Sequence, residues 1–411
     1  VSGVIPNPRA RYAAKREAIL AAASKVFTDR GLSGFTLAAV AKRMDLHPVS
    51  LTYYFKRKED LAAACVLHTL ERFGDMLSDA EVGETPQERL RRFVHAYFAA
   101  RRRVAEGQEA QLVPFGEVRL FSGPDDDRVV EAYGAFLHRV GLLLKEPVAP
   151  LSGGRRRALA HLVINQLCWS DTWLGAYHVS DYPRVAERIA DIMVGGLAAP
   201  GRVMPPGPLL ELGSPHADND EVTREAFLVA ATELINREGY RGASVDKISA
   251  RLNVTKGSFY HHNTDKDDLA LACFERSFEI VAEAMRKAET GKDGWERLWL
   301  AACSLAVLQA TGEHGRMLRH TALAALPVDG RKAVMARYQQ VAHSFAGLIS
   351  DGVADGSIRP VDPLLAAQMV MIMFNSTPAM EFWSPGSTRE TVIETVRASL
   401  MGFFAAGEPD A

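Results

Sequence analysis

Between Tyr12 and Arg30 the apolar residues Ile19, Ala22, Ala23, Val26 and Phe27 recur at helical spacing. Gly31 follows them as a cap that ends the helix. Thr36, an N-cap residue type, opens a shorter helix whose apolar face is Leu37, Val40, Ala41 and Met44. A turn at Asp45-Leu46-His47 leads to another short helix, with Pro48 near its first position, where a missing N–H costs nothing. That helix carries small polar and aromatic residues in place of a second full apolar stripe. After Lys56-Arg57-Lys58 a long helix runs through Leu61, Ala64, Leu67, Leu70 and Phe73. Residues 86–199 lack the alternation of strands and predict helices near 86–105, 110–121, 125–146, 154–177 and 182–198.

The pattern then breaks and restarts. Pro200, Gly201, Pro205, Pro206, Gly207, Pro208, Gly213 and Pro215 exclude a continuing helix over 199–220 and mark a linker. Fully extended, ~20 residues reach roughly 65 Å. Beyond it Thr223–Arg237 is again helical, Gly239 caps it, and Ser244–Asn263 repeats Thr36–Phe55 at an offset of 208 residues. Asp267–Lys287 is a long helix, and further helices are expected near 294–311, 313–325, 328–354, 362–383 and 388–405. Without gaps, Arg16–Cys65 and Arg224–Cys273 agree at about a third of positions. Two short helices, the second left open on one side, are the build of a helix-turn-helix. The expected class is therefore all-α, in two units of helix-turn-helix domain plus helical bundle. The boundaries expected are 1–61 and 62–198, the linker 199–220, then 221–269 and 270–411.

Composition changes this picture little. The 411 residues are 47% hydrophobic and 24% charged, with net charge −2, so total charge does not point to nucleic acid. Local charge does. Residues 9–61 hold 11 Lys+Arg and 5 Asp+Glu, a balance of +6, whereas 217–269 hold 7 and 10, a balance of −3. The basic arm with Arg9 and Arg11 suits phosphate contact. Cys65, Cys168, Cys273 and Cys303 have neither CxxC nor zinc spacing and read as free thiols of a reducing cytoplasm. The apolar run Leu364–Phe374 is short of a membrane span, and no leader pattern opens the chain, although Val1 implies a trimmed initiator region. GxSxG, GxxxxGK[ST], HExxH and a strand-linked GxGxxG are absent, so neither an enzyme nor a cofactor or metal site is expected.

The spaced set Arg16, Ile19, Ala22-Ala23, Phe27, Gly31, Thr36, Val40-Ala41, Leu46, Ser50, Tyr54-Phe55, Lys58 and Leu61 resembles the TetR family of bacterial transcriptional regulators. Arg224, Ala230-Ala231, Gly239, Ser244, Ile248, Val254 to Tyr260, Lys266 and Leu269 resemble it again, so the chain looks like a tandem form. The resemblance implies an operator-binding repressor released by a small apolar or aromatic effector, with double-stranded DNA as partner. On that footing the DNA-contacting candidates are Thr36, His47, Ser50, Thr52, Tyr53, Tyr54 and Lys58 in one copy. In the other they are Ser244, Thr255, Lys256, Gly257, Ser258, Tyr260, His261 and Lys266. The first copy departs from the family at Pro48, Val49 and Thr52, and the second at Asn263.

Family dimers pair through the last two helices of each bundle. Here 154–177 with 182–198 and 362–383 with 388–405 would pair within one chain, giving a pseudo-dimer; a homodimer with four heads is the runner-up. Trp169, Trp173 and Tyr177, and Met371, Phe374 and Trp383, are candidates to line an effector pocket, with ordinary helical core as the competing role. The alternative function is a ligand-binding or interaction module that has lost DNA binding in one or both halves.

Overall fold

The computed structural model describes residues 8–116, 118–121, 127–145, 153–205, 207–213, 224–255, 257, 265–312, 315–380 and 388–404. Helices α1 (Pro8–Gly34), α2 (Leu37–Arg43), α3 (Pro48–Thr52), α4 (Lys58–Glu81), α5 (Pro86–Ala105), α6 (Arg128–Leu143), α7 (Gly153–Trp169) and α8 (Tyr182–Gly195) form the first half. The second half contributes α9 (Arg224–Gly242), α10 (Val245–Arg251), α11 (Lys266–Ala288), α12 (Gly294–Thr311), α13 (Val328–Ala354), α14 (Pro363–Ser376) and α15 (Arg389–Met401). Among the described residues there is no strand, only an isolated bridge between Ala198 and Ile358. The fold is all-α.

The internal repeat is visible in matching local devices. α1 and α9 leave helical geometry at Gly31 (φ 63°) and Gly239 (φ 74°). Thr36 Oγ1 accepts from Ala39 N at 3.1 Å to start α2, and Ser244 Oγ accepts from Lys247 N at 3.3 Å to start α10. The turn after each of these helices passes through a left-handed residue, Asp45 (φ 54°) or Asn253 (φ 55°), both types that tolerate this region. In the core, Cys65 Sγ donates to Leu20 O and Cys273 Sγ to Leu228 O. Burial pushes the Cys65 thiol up to about 12 and the Cys273 thiol up to about 11, so neither is a reactive thiolate.

Two predicted helices do not form as such. Residues 111–114 have no regular structure, with only a 3₁₀ turn at Val118–Phe121, and 315–319, which open at Gly315 with φ 81°, have none ahead of a 3₁₀ turn at His320–Ala325. The cause is the same in both halves. Thr69 Oγ1 accepts from Val113 N at 3.1 Å, and Ser277 Oγ accepts from Leu318 N at 2.9 Å. Side chains of α4 and α11 thus take over backbone groups that a helix would have used.

The chain divides into two compact units, one of Val1–Met76 with Ala99–Phe136 and one of Leu77–Phe98 with Leu137–Ala411. The first unit is cored by Phe73, Phe115, Tyr133 and Phe136, whose rings lie 5.1–6.0 Å apart. Within the second unit, α7 and α8 of the first half pack on α14 and α15 of the second half. Trp169 Nε1 donates to Gln368 Oε1 at 3.0 Å, and Gln166 Nε2 to Ser399 Oγ at 3.3 Å. Arg188 pairs with Asp362 at 2.6 Å and Arg359 with Asp191 at 2.7 Å. The ends of α8 and α15 are joined by backbone bonds, Leu197 N to Leu400 O at 2.6 Å and Phe403 N to Met193 O at 2.9 Å. The crossing is tight. A Cβ at Gly196 would overlap the Met401 carbonyl carbon, and one at Gly402 would overlap Val194 O.

Composition excludes helix from 199–220 but does not free the segment. Trp295 Nε1 donates to Val203 O at 3.0 Å, Leu210 N to Ser304 Oγ at 2.9 Å, and Lys287 Nζ to Glu211 O at 2.6 Å. Leu212 is buried. The described part of this segment is laid along α11 and α12.

Two consequences are measurable. Gly196 and Gly201 both have positive φ (68° and 79°), but only Gly196 faces a backbone; the space around Gly201 is open. Gly201→Ala should cost about 1–3 kcal/mol through backbone strain alone, and Gly196→Ala clearly more, read as urea midpoints. Equal losses would mean that the crossing imposes no packing constraint. His161 on α7 is buried, bonded to Asn165 at 2.9 Å, and burial pushes its imidazole down to about 3. The unfolded chain therefore binds a proton below pH ~6.5 that the folded chain refuses. Its contribution is complete above pH ~6.5 and is lost as pH falls, by on the order of 1.4 kcal/mol per unit. His161→Gln should flatten the slope of stability against pH between about 4.5 and 6.5; an unchanged slope refutes this assignment.

Candidate nucleic-acid interface

The outer face of the first head is built by α3 and its flanks. Leu51 is fully buried and fastens the helix to α2, while Pro48, Val49, Ser50, Thr52 and Tyr53 are exposed. His47 stands at the N-cap and its Nδ1 accepts from Val49 N at 3.4 Å, which leaves Nε2 as the protonated nitrogen of the neutral ring. Thr52 Oγ1 donates to Val49 O at 2.8 Å. Tyr54 is half-buried and stacks on Tyr12 of α1 at 4.9 Å, with Tyr53 set edge-on to both rings. Periodicity gave no reason to link Tyr12 to this face. The tyrosine cluster ties the start of α1 to the end of α3.

The first head also carries exposed positive charge. Arg11, Lys15, Lys25, Arg30, Lys42 and Lys56 are exposed and make no ion pair within the described residues. Lys58, at the first turn of α4, lies 3.9 Å from Glu59. Arg57 bonds Asp60 at 2.9 Å and holds that carboxyl below its usual range. Arg16 lies over the ring of Phe55, 5.4 Å from its centroid.

The second head is neutralised from within. Lys247 pairs with Glu238 at 2.6 Å, Arg237 with the same carboxylate at 2.8 Å, and Arg251 with Glu233. Lys247 and then Arg237 hold Glu238 below the usual carboxylate range. Lys266 sits over the ring of Tyr240 at 4.2 Å, and Tyr240 donates to Asp267. Ser244 caps α10, and Thr255 and Gly257 are exposed. Lys256, Ser258, Tyr260 and His261 lie outside the described residues.

The candidate effector residues are dispersed. Trp169 is bonded to Gln368 across the α7–α14 contact and stands edge-on to His320 at 4.9 Å and Tyr338 at 5.6 Å. Trp173 and Tyr177 form an edge-on pair at 6.0 Å beyond the end of α7. Met371 and Phe374 do share a cavity, of about 20 Å³, with Ser277, Leu318, Tyr338 and Asn375. That is room for about one water molecule, so an aromatic effector would require this core to open. Trp383 lies outside the described residues. No cluster of His, Cys, Asp or Glu suited to a metal occurs among the described residues, and no helix there is long and apolar enough to cross a membrane.

The family described as "Bacterial regulatory proteins, tetR family" matches residues 19–65 and again 227–273, and "Tetracyclin repressor-like, C-terminal domain" matches 291–379. The chain belongs to the TetR family. It is a tandem form, with two TetR-type units in one chain. It is similar to the transposon Tn10 TetC protein of Escherichia coli, 31% identical over 81 residues, which cover 20% of this chain and 41% of that protein. It is also similar to the HTH-type transcriptional activator FasR of Mycolicibacterium smegmatis, 34% identical over 76 residues, covering 18% and 35% of the two chains. The match to the HTH-type transcriptional regulator BetI of Brucella anthropi is 29% identical over 126 residues, 30% of this chain and 63% of that one. The chain thus spans less than two thirds of each of these curated relatives. Among solved structures, AibR in complex with isovaleryl coenzyme A and operator DNA is 24% identical with a TM-score of 0.37, covering 44% of this chain and 98% of that one.

Proposed function

We propose that this tandem TetR protein is a sequence-specific DNA-binding transcriptional regulator of the cytoplasm, a ligand-responsive repressor that works as an intrachain pseudo-dimer on an operator of unlike half-sites. The observation that carries the pairing is the α7–α8 contact with α14–α15, joined by the backbone bonds of Leu197 to Leu400 and Phe403 to Met193 beside Gly196 and Gly402. In this reading one chain already holds two heads. Unlike half-sites follow from unlike heads: the first carries exposed, unpaired cations, and the cations of the second are held by its own Glu233 and Glu238. Phosphate attraction supplies most non-specific affinity, so the first head carries most of it. The effector is a small apolar or aromatic molecule, and its entry would open the core around Met371 and Phe374.

Binding is tested by mobility shift with the DNA flanking the protein's own gene across a salt series, with chain stoichiometry from light scattering. One chain per operator and steep salt dependence are expected; absence of binding at low salt overturns the reading. Selection from random DNA should return a site without two-fold symmetry, and a perfect palindrome contradicts unlike half-sites. A reporter behind that operator should rise when the protein is removed, whereas an activator would give the opposite change.

The internal ion pairs favour a second reading, in which the second head is a structural partner. Lys256→Ala with Tyr260→Ala would then leave operator affinity unchanged. The ion pairs also generate a prediction of their own. Glu233→Gln with Glu238→Gln releases Arg251, Lys247 and Arg237, and if the second head lies on DNA with all three on phosphates the slope of log K against log salt should steepen by roughly 2.7. An unchanged slope places that surface away from phosphates.

A further inference from the structure

The first reading face lacks every side chain that makes a two-pronged contact with a base. Arg or Lys to guanine, and Asn or Gln to adenine, are the bidentate pairs of the major groove. Between His47 and Tyr54 the chain reads His-Pro-Val-Ser-Leu-Thr-Tyr-Tyr, with no arginine, lysine, asparagine, glutamine or carboxylate. The polar groups of α3 are further depleted by local bonds: the Thr52 hydroxyl donates its proton to Val49 O, and His47 Nδ1 is taken up by Val49 N. The helix instead exposes hydrocarbon. Val49 is 67% exposed and Tyr53 76%, in a molecule whose other valines and leucines are mostly covered. Val49 has no packing role that would explain an isopropyl group there, because Leu51 alone of the α3 residues is buried. With its hydroxyl proton directed back to the helix, Thr52 offers its methyl group on the same exposed surface.

The major groove presents one apolar group, the C5-methyl of thymine. We infer that the first head reads its half-site through thymine methyl groups, with Val49 as the principal specificity-determining residue. This inference rests on the DNA-binding reading above and names the chemistry by which that reading operates in one head. Discrimination is by apolar contact, worth about fourfold in affinity per buried methyl at ~0.8 kcal/mol. Such a face rejects a G·C pair only weakly by hydrogen bonding. It therefore depends on several methyls in register and on the phosphate attraction of the head's exposed cations.

The test compares operator DNA recovered by selection with the full-length wild-type chain against the same DNA carrying deoxyuridine for thymidine, first in one half-site and then in the other. Deoxyuridine removes the methyl and leaves base pairing intact. Wild-type protein should lose about fourfold or more in affinity when the substitution falls in the half-site of the first head. Val49→Ala should narrow the difference between the thymine and uracil forms, leaving what the Thr52 methyl and the alanine Cβ supply, and Val49→Thr, which keeps one branched methyl, should retain more of it. Val49 is exposed, so these variants should melt with the wild type. Wild-type protein that binds both DNAs equally overturns the inference while leaving DNA binding intact. Failure to select any DNA overturns the binding reading, and this inference falls with it.

Discussion

Everything distinctive in the second unit depends on the contact between helices that lie some two hundred residues apart in sequence. Apolar burial alone would hold α7 against α14, but it would not fix their register, because one turn of slippage exposes a similar surface. The polar pairs do fix it. Trp169 Nε1 with Gln368 Oε1, and Gln166 Nε2 with Ser399 Oγ, are buried. Leaving such a group unpaired costs about 1–3 kcal/mol, so a displaced register is penalised at both places together. The glycine crossing at the helix ends adds a steric condition, since only residues without Cβ permit Gly196 and Gly402 to approach as they do. The described part of the segment that follows Gly196 is then laid along α11 and α12 and is part of the packed structure.

Fusion also explains which features of the two halves agree. The matching devices are internal: Cys65 with Leu20 O and Cys273 with Leu228 O, Thr69 with Val113 N and Ser277 with Leu318 N, the left-handed turns at Asp45 and Asn253. Each is set by backbone geometry and burial, which both halves must satisfy alike. The outer surfaces carry no such requirement once the halves are covalently joined. In a homodimer a single substitution alters both heads; in this chain Glu238 can neutralise Lys247 in one head while Lys42 stays uncovered in the other.

Sequence periodicity located α5, α12 and α13 with their ends, because each is long and is bounded by residues that break a helix or start one, such as Pro86, Asp293 with Gly312, and Pro327. It failed at 110–121 and 313–325, where apolar residues at helical spacing are present but the hydrogen bonds go elsewhere. A side chain of α4 or α11 accepting from a backbone N–H more than forty residues away leaves no local signature. The same limit applies to function. The turn and the caps at Thr36 and Ser244 were legible from residue type and spacing. The role of Trp169 as a register-setting donor was not, because its partner Gln368 can be identified only once two distant helices are paired. Nor was the association of Tyr12 with Tyr54, which needs α1 and α3 side by side.

Unequal charge on two heads would weaken a dimer assembled from separate chains, but its effect in one chain is smaller. Long-range attraction governs the first encounter with DNA, and the first head, with balance +6 over residues 9–61, can provide it. Under the proposed reading, once that head is bound the second head is held near the DNA by the covalent chain, at an effective concentration that replaces attraction of its own. Under the proposed reading its balance of −3 over residues 217–269 then acts as a filter. Such a head gains little from phosphates alone and would stay bound only where its own base contacts are good, so specificity in the second half-site is purchased by withholding charge.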